Sequence, residues 1–143
     1  HLSDFIVDGV KYNCAEQYMM AGKAKLFNDD ESLEKIMKTK VPKEQKVLGR
    51  SVKNFDPKIW DENCKDIVYA GNFAKFSQNK DLQELLLNTI GTQLVEASPY
   101  DTVWGIGLGP EDPLRLDPKN WKGTNYLGQV LNKVRAGIIS SIL

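Results

Sequence analysis

From residue 13 to residue 27 apolar side chains recur every three or four positions, the spacing of one face of an α-helix. Ala15, Tyr18, Met19, Gly22 and Leu26 make a core stripe, and a second stripe carries Glu16, Met20, Lys23 and Phe27. Asn13 is a favourable N-cap with Glu16 at N3, a capping-box-like start, so a helix is expected to open there. Ahead of it, residues 4–12 read as a short β-hairpin around the Asp8-Gly9 turn signal. Asn28-Asp29-Asp30 breaks the first helix, and a second is expected over about residues 31–38, with Leu33, Ile36 and Met37 on one side. Pro42 suits the first turn of a third, short helix that leads to Leu48-Gly49-Arg50, with Gly49 as its stop.

Asp56-Pro57 is an N-cap followed by proline at N1, and Trp60, Cys64, Ile67, Val68, Gly71, Ala74 and Lys75 then repeat at helical spacing to about residue 77. Gly71 inside that helix costs up to about 1 kcal/mol relative to alanine, which calls for a close packing contact or a ligand approach. Residues 79–88 supply a leucine-rich helix, and Leu94-Val95-Glu96-Ala97 reads as a buried strand. Residues 98–118 form a long loop with a tryptophan and three glycines, and loops of that length are functional or disordered. Thr124 or Asn125 caps a last helix whose apolar face is Leu127, Val130, Leu131, Val134, Ile138 and Ile142. With no repeat and no linker, the expectation is an α+β, mainly helical fold: one compact domain over 1–143 with a small β component.

The 143 residues carry 19 basic and 19 acidic side chains. Zero net charge argues against a protein held to nucleic acid or membrane mainly by long-range electrostatics, and leaves open a local grip on one modified nucleotide. Cys14 and Cys64 make no CxxC pair, and a single histidine offers no zinc set, so a reduced, intracellular setting is expected. No apolar run reaches the length of a membrane span and no signal peptide is visible; a sequence opening on His1 rather than methionine is expected to be trimmed.

Glu16 and Lys23 are seven residues apart, so they point the same way about 10 Å apart along the axis, room for a ligand between them. The plain alternatives are that Glu16 only caps and that Lys23 is a solvated surface charge. Gly105, Gly107 and Gly109 resemble a phosphate loop superficially, but Pro110 stands where a Rossmann helix would begin and no Walker lysine follows. That the glycines let backbone approach a ligand stays open. His1, the one histidine, sits at the extreme end, so histidine-based triads are not expected and acid–base work is expected to fall to carboxylates, lysines or tyrosines. Glu16 and Asp101 stand out, with a turn role as the alternative for Asp101. Trp104 is either core packing or a stacking platform for a base.

Phe5-Ile6-Val7-Asp8-Gly9, the string from Tyr12 to Ala24, Leu48-Gly49-Arg50, Ala74-Lys75-Phe76, Leu94-Val95-Glu96-Ala97-Ser98-Pro99, Asp101, Trp104-Gly105-Ile106-Gly107 and Trp121-Lys122-Gly123-Thr124-Asn125-Tyr126-Leu127-Gly128 follow one another in order. In this succession the chain resembles the NADAR (YbiA-like) domain family over nearly its whole length. It departs in lacking the aromatic-rich segment that normally precedes the first strand, and in placing Thr124 where some members carry lysine or glycine. The resemblance implies an N-glycosidase acting on a ribose–nitrogen bond. Some members cleave ribosylamino-pyrimidine intermediates of riboflavin synthesis, others remove ADP-ribose from guanine in nucleic acid, and this chain looks more like the latter branch. A non-catalytic ADP-ribose or nucleotide reader, and a helical scaffold without ligand, are the rival classes.

On that resemblance Lys23 is expected to be a nucleophile forming a Schiff base with C1 of the ribose, its amine desolvated by Met20 and Phe27. Glu16 is expected to transfer protons or stabilise developing charge. Arg50 is assigned to a phosphate, against the alternative of a helix C-terminal cation; Lys75 to a phosphate, against a plain surface charge. Tyr18, Met20, Asp101, Trp104, Gly105 and Asn125 are expected to line the pocket. No cofactor and no metal are implied. The expected partners are an ADP-ribose-containing or ribose-phosphate substrate and ADP-ribosylated nucleic acid, with no membrane, for a monomer.

Overall fold

Asp8 and Gly9 both take left-handed backbone angles (φ 51° and 78°), and the turn they make pairs β1 (Phe5–Val7) with β2 (Val10–Tyr12), Phe5 opposite Tyr12. This hairpin opens a computed structural model that describes residues 2–143; His1, the one histidine, lies outside the described residues. Four helices follow: α1 (Ala15–Leu26), α2 (Asp30–Lys38), α3 (Pro42–Arg50) and α4 (Pro57–Gln78). Then come α5 (Lys80–Leu87), two single 3-10 turns (Pro113–Leu116 and Pro118–Asn120) and α6 (Tyr126–Ile142). The fold is α+β and mainly helical. It resolves into two compact units, one ending at Glu84 and one covering Leu85–Leu143. None of the helices among the described residues is long and apolar enough to cross a membrane.

In the first unit α1 is the central helix, with α2, α3 and α4 all packed against it. That arrangement corrects the expected core stripe. Gln17, Met20, Ala21 and Ala24 are the buried positions of α1, whereas Ala15, Tyr18, Met19, Gly22 and Leu26 are each half-buried. A helix covered from three sides has no single apolar face, so a one-sided periodicity misplaces it. The helix start shifts too. The N-cap is Cys14, whose sulfur accepts the Gln17 N–H at 3.4 Å, while Gln17 Oε1 reaches back to the Asn13 N–H at 2.8 Å. Gln17 therefore performs the reciprocal capping expected of Glu16. Its amide also donates to the carbonyls of Ile36 and Thr39, and the fully buried Gln45 links Asn13, Cys14 and Thr39, so one polar network ties the start of α1 to the α2–α3 junction.

Gly49 does not stop α3, which runs on to Arg50; a Cβ at Gly49 would strike the Met20 side chain, so the glycine is there for close α1–α3 packing. Gly71 meets Tyr18 in the same way, and Gly22 meets Ile67. These contacts run α1 and α4 antiparallel. Asp56 caps α4 with Pro57 in its first turn, as expected.

Asp29 caps α2, accepting from the Ser32 N–H (3.1 Å) and hydroxyl (2.6 Å) and from the Lys53 N–H (2.9 Å). Led by the Ser32 hydroxyl, these bonds hold its carboxyl down at about 2. A depressed folded-state value stabilises the fold above the unfolded-chain value near about 4, and the contribution is lost as pH falls toward 2. Asp29→Asn is expected to lower the urea midpoint at pH 7 and to flatten its decline between about pH 4 and pH 2, measured by fluorescence-monitored unfolding.

In the second unit the expected strand Leu94-Val95-Glu96-Ala97 is absent; the segment is irregular. No neighbouring strand pairs with it. The buried side chain of Asn125 does so instead, accepting from the Glu96 N–H and donating to the Leu94 carbonyl, both at 3.0 Å. Asn125 stands at the N-cap position of α6 in the left-handed region (φ 54°) without a side-chain cap bond. Val130, Val134 and Ile138 form the buried side of α6, and Arg135 closes the end of α5 through the carbonyls of Thr89 and Thr92.

Candidate functional site

Six of the expected site residues belong to the first unit. Lys23 lies in the last turn of α1, where its Nζ stands 4.4 Å from the centre of the Phe55 ring and 5.6 Å from that of Trp60. Phe55 follows Asn54, whose left-handed turn (φ 60°) ends the α3–α4 connection, and Trp60 projects from the first turn of α4. Phe27 stands behind Phe55 in an edge-on contact at 5.4 Å. Met20 packs against Gly49 in the core. Two aromatic residues that the pattern of α1 gave no hint of therefore flank the amine. Their only sequence signal is an aromatic residue on either side of the Asp56-Pro57 helix start.

Ring faces favour the ammonium form. Burial opposes it, and the Arg50 guanidinium adds like-charge repulsion; the balance holds Lys23 below the ordinary lysine range. Arg50, the exposed last residue of α3, is thus within electrostatic reach of Lys23.

Glu16 is half-buried in the first turn of α1, one heptad before Lys23 and on the same side of the helix. Lys75, near the end of α4, lies toward the Cys14 end of α1, within electrostatic reach of that cysteine. Some 15 residues of α4, about 22 Å of helix, separate it from Trp60, so it belongs to the Glu16 end and not to the Lys23 end. Burial lowers its amine as well. Tyr18 packs on Gly71 and meets the rings of Tyr12 (4.9 Å) and Phe5 (6.1 Å), a core aromatic cluster in which burial raises its hydroxyl above the usual tyrosine value.

The other four expected residues knot together in the second unit. Asp101 Oδ1 accepts the Val103 and Trp104 N–H groups at 3.0 and 2.8 Å, the turn geometry set out as its alternative. The half-buried Trp104 packs edge-on against Tyr126 with ring centres 5.6 Å apart. Gly105 leaves no room for a Cβ against the Glu96 and Asp101 carbonyls, and its own carbonyl accepts the Asn125 N–H at 2.9 Å. Each of these contacts holds the loop in shape.

Chemically, the first unit offers a partly desolvated amine between two rings, a guanidinium beside it and a half-buried carboxylate on the same helix side. The family model described as the NADAR domain matches residues 2–139. N-glycosidase R617 of Acanthamoeba polyphaga mimivirus is 50% identical over 125 residues, covering 87% of this chain and 74% of that protein. The chloroplastic riboflavin biosynthesis protein PYRR of Arabidopsis thaliana is 35% identical over 108 residues, which cover 73% of this chain and 16% of that protein. The NMR structure of the E. coli protein YbiA superposes with a TM-score of 0.77 at 28% identity, covering 96% of this chain and 74% of that one.

Proposed function

We propose, from the premise that this chain belongs to the NADAR domain family, that it is an N-glycosidase that removes ADP-ribose from ADP-ribosylated guanine through Lys23 and Glu16. The observation that carries this reading is the Lys23 amine, held by burial and Arg50 below the ordinary lysine range between Phe55 and Trp60. The name of the mimivirus relative supports the reaction class.

The neutral Lys23 amine attacks C1 of the ribose as the bond from C1 to the base nitrogen breaks, and Glu16 delivers a proton to the departing base. The new C1 ammonium gives a proton to the Glu16 carboxylate, its freed lone pair expels the ring oxygen, and that oxygen takes the proton back from Glu16, leaving an iminium between Lys23 and C1. Water adds to C1, and the amine leaves with its electron pair, restoring the lysine and releasing ADP-ribose. Arg50 holds a phosphate of the ADP-ribose as a charge-assisted contact, and the bound anion offsets the repulsion that Arg50 exerts on Lys23.

The similarity to PYRR supports a second reading, an N-glycosidase of ribosylamino-pyrimidine phosphates. Incubation with each substrate at enzyme levels far below substrate separates the two. Free ADP-ribose and restored guanine support the first reading, and release of pyrimidine alone supports the second. Binding of ADP-ribose without turnover of either would make the protein a reader.

Phe55→Leu keeps apolar cover over Lys23 and removes the ring face that favours its charged form. The amine value then falls further, and the rising limb of kcat/KM against pH is expected to move down by about half a unit, the worth of an exposed cation–π contact. Movement of the limb to higher pH would mean that the ring acts only as cover.

A further inference from the structure

The balanced charge of the chain conceals an uneven distribution. Residues 38–53 hold six cations, Lys38, Lys40, Lys43, Lys46, Arg50 and Lys53, against the single carboxylate Glu44, and the rest of the chain carries a matching surplus of acid. Two of the six are paired: Lys38 with Glu34 at 2.7 Å and Lys53 with Glu31 at 3.5 Å. Lys43, Lys46 and Arg50 are exposed, and among the described residues no carboxylate lies within ion-pair distance of them. At about 100° per residue these three fall within an arc of about 60° on α3, away from the buried Gln45 and Gly49. The row is about 10 Å long and ends at Arg50, the guanidinium that the Lys23 amine senses.

We propose that this exposed face of α3 is a track for the phosphodiester backbone of a nucleic-acid strand, which delivers a modified base to Lys23. The proposal rests on the glycosidase reading and assigns the surface that would hold a polymeric substrate. Each of the three cations in the row can face one phosphate of a strand that runs along it. An anionic membrane fits less well. The exposed apolar side chains near the cations, Val41, Val47 and Phe55, are scattered singly, and the opposite side of α3 is already committed to α1 and α2, so no broad apolar face of α3 remains to enter a lipid interface.

The test is fluorescence anisotropy with a labelled, unmodified single-stranded DNA of about twenty nucleotides, alongside sedimentation with phosphatidylserine vesicles. The expected result is DNA binding whose logarithm falls with log salt at a slope of about −2, the value for three single-strand phosphate contacts. Lys43→Glu/Lys46→Glu is expected to weaken that binding at least about tenfold between 50 and 200 mM salt and to reduce the slope to below about −1 in magnitude. The same double variant retains wild-type turnover of an ADP-ribosylated guanine mononucleotide and shows a raised KM only on the ADP-ribosylated oligonucleotide. DNA affinity unchanged by the charge reversal, or binding to vesicles with none to DNA, overturns the track. Absence of mononucleotide turnover in the wild type counts instead against the glycosidase reading, because the DNA affinity is measured without catalysis.

Discussion

Lys23→Met is expected to lower kcat/KM on ADP-ribosylated guanine by about a thousandfold, about 4 kcal/mol of transition-state stabilisation, with the fold unchanged. The substitution keeps an apolar stem against Phe55 and Trp60 and removes a half-buried cation, so little packing is lost. What disappears is the atom that bonds to C1. Lys23→Arg separates nucleophilicity from charge. A guanidinium keeps the positive charge over the Phe55 ring yet stays protonated, so it is expected to be as inactive as methionine. Glu16→Gln removes the proton donor and leaves the nucleophile, for an expected loss of about a hundredfold or more in kcat. If Lys23→Arg turned over substrate at the wild-type rate, positive charge alone would be the contribution of this position.

The second large effect lies in the other unit and is structural. Asn125→Ala is expected to cost about 4 kcal/mol. Asn125 is 2% exposed, and its amide satisfies the Glu96 N–H and the Leu94 carbonyl at 3.0 Å each. Truncation strands both groups, at about 1–3 kcal/mol apiece, and adds the cost of alanine in a left-handed conformation, about 1 kcal/mol. A fall in Tm of about 10 °C, followed by circular dichroism, is the expected readout. Asn125→Gly relieves only the backbone part and recovers a minority of the loss. A variant that kept its Tm and showed only a raised KM would instead make Asn125 a ligand contact, the role expected from sequence.

These two positions show where a sequence is readable. Signals confined to a few neighbouring residues translate directly: Asp8-Gly9 makes the hairpin turn, Asp56-Pro57 opens α4, and Asn28-Asp29-Asp30 separates α1 from α2. Features that depend on partners distant in sequence do not. Gln17 is polar in the middle of an apolar pattern, and it is buried because carbonyls at the end of α2 and beyond it receive its amide. Leu94-Val95-Glu96-Ala97 has the composition of a strand but finds a side chain where a strand would be. The Glu16 and Lys23 spacing was visible in the helical period, whereas the rings around Lys23 were not, because the turn at Asn54 brings Phe55 to a residue more than thirty positions earlier. Gly71 called for a close contact, and the Tyr18 ring supplies it.

The most direct test of a Lys23-centred glycosidase is borohydride trapping on ADP-ribosylated guanine DNA, followed by peptide mass spectrometry. One ADP-ribose adduct per chain is expected, reduced to a stable secondary amine, mapped to Lys23 and absent in Lys23→Met. Turnover that proceeds in borohydride without any adduct, or an adduct mapped to Lys75, the other amine lowered by burial, would contradict it.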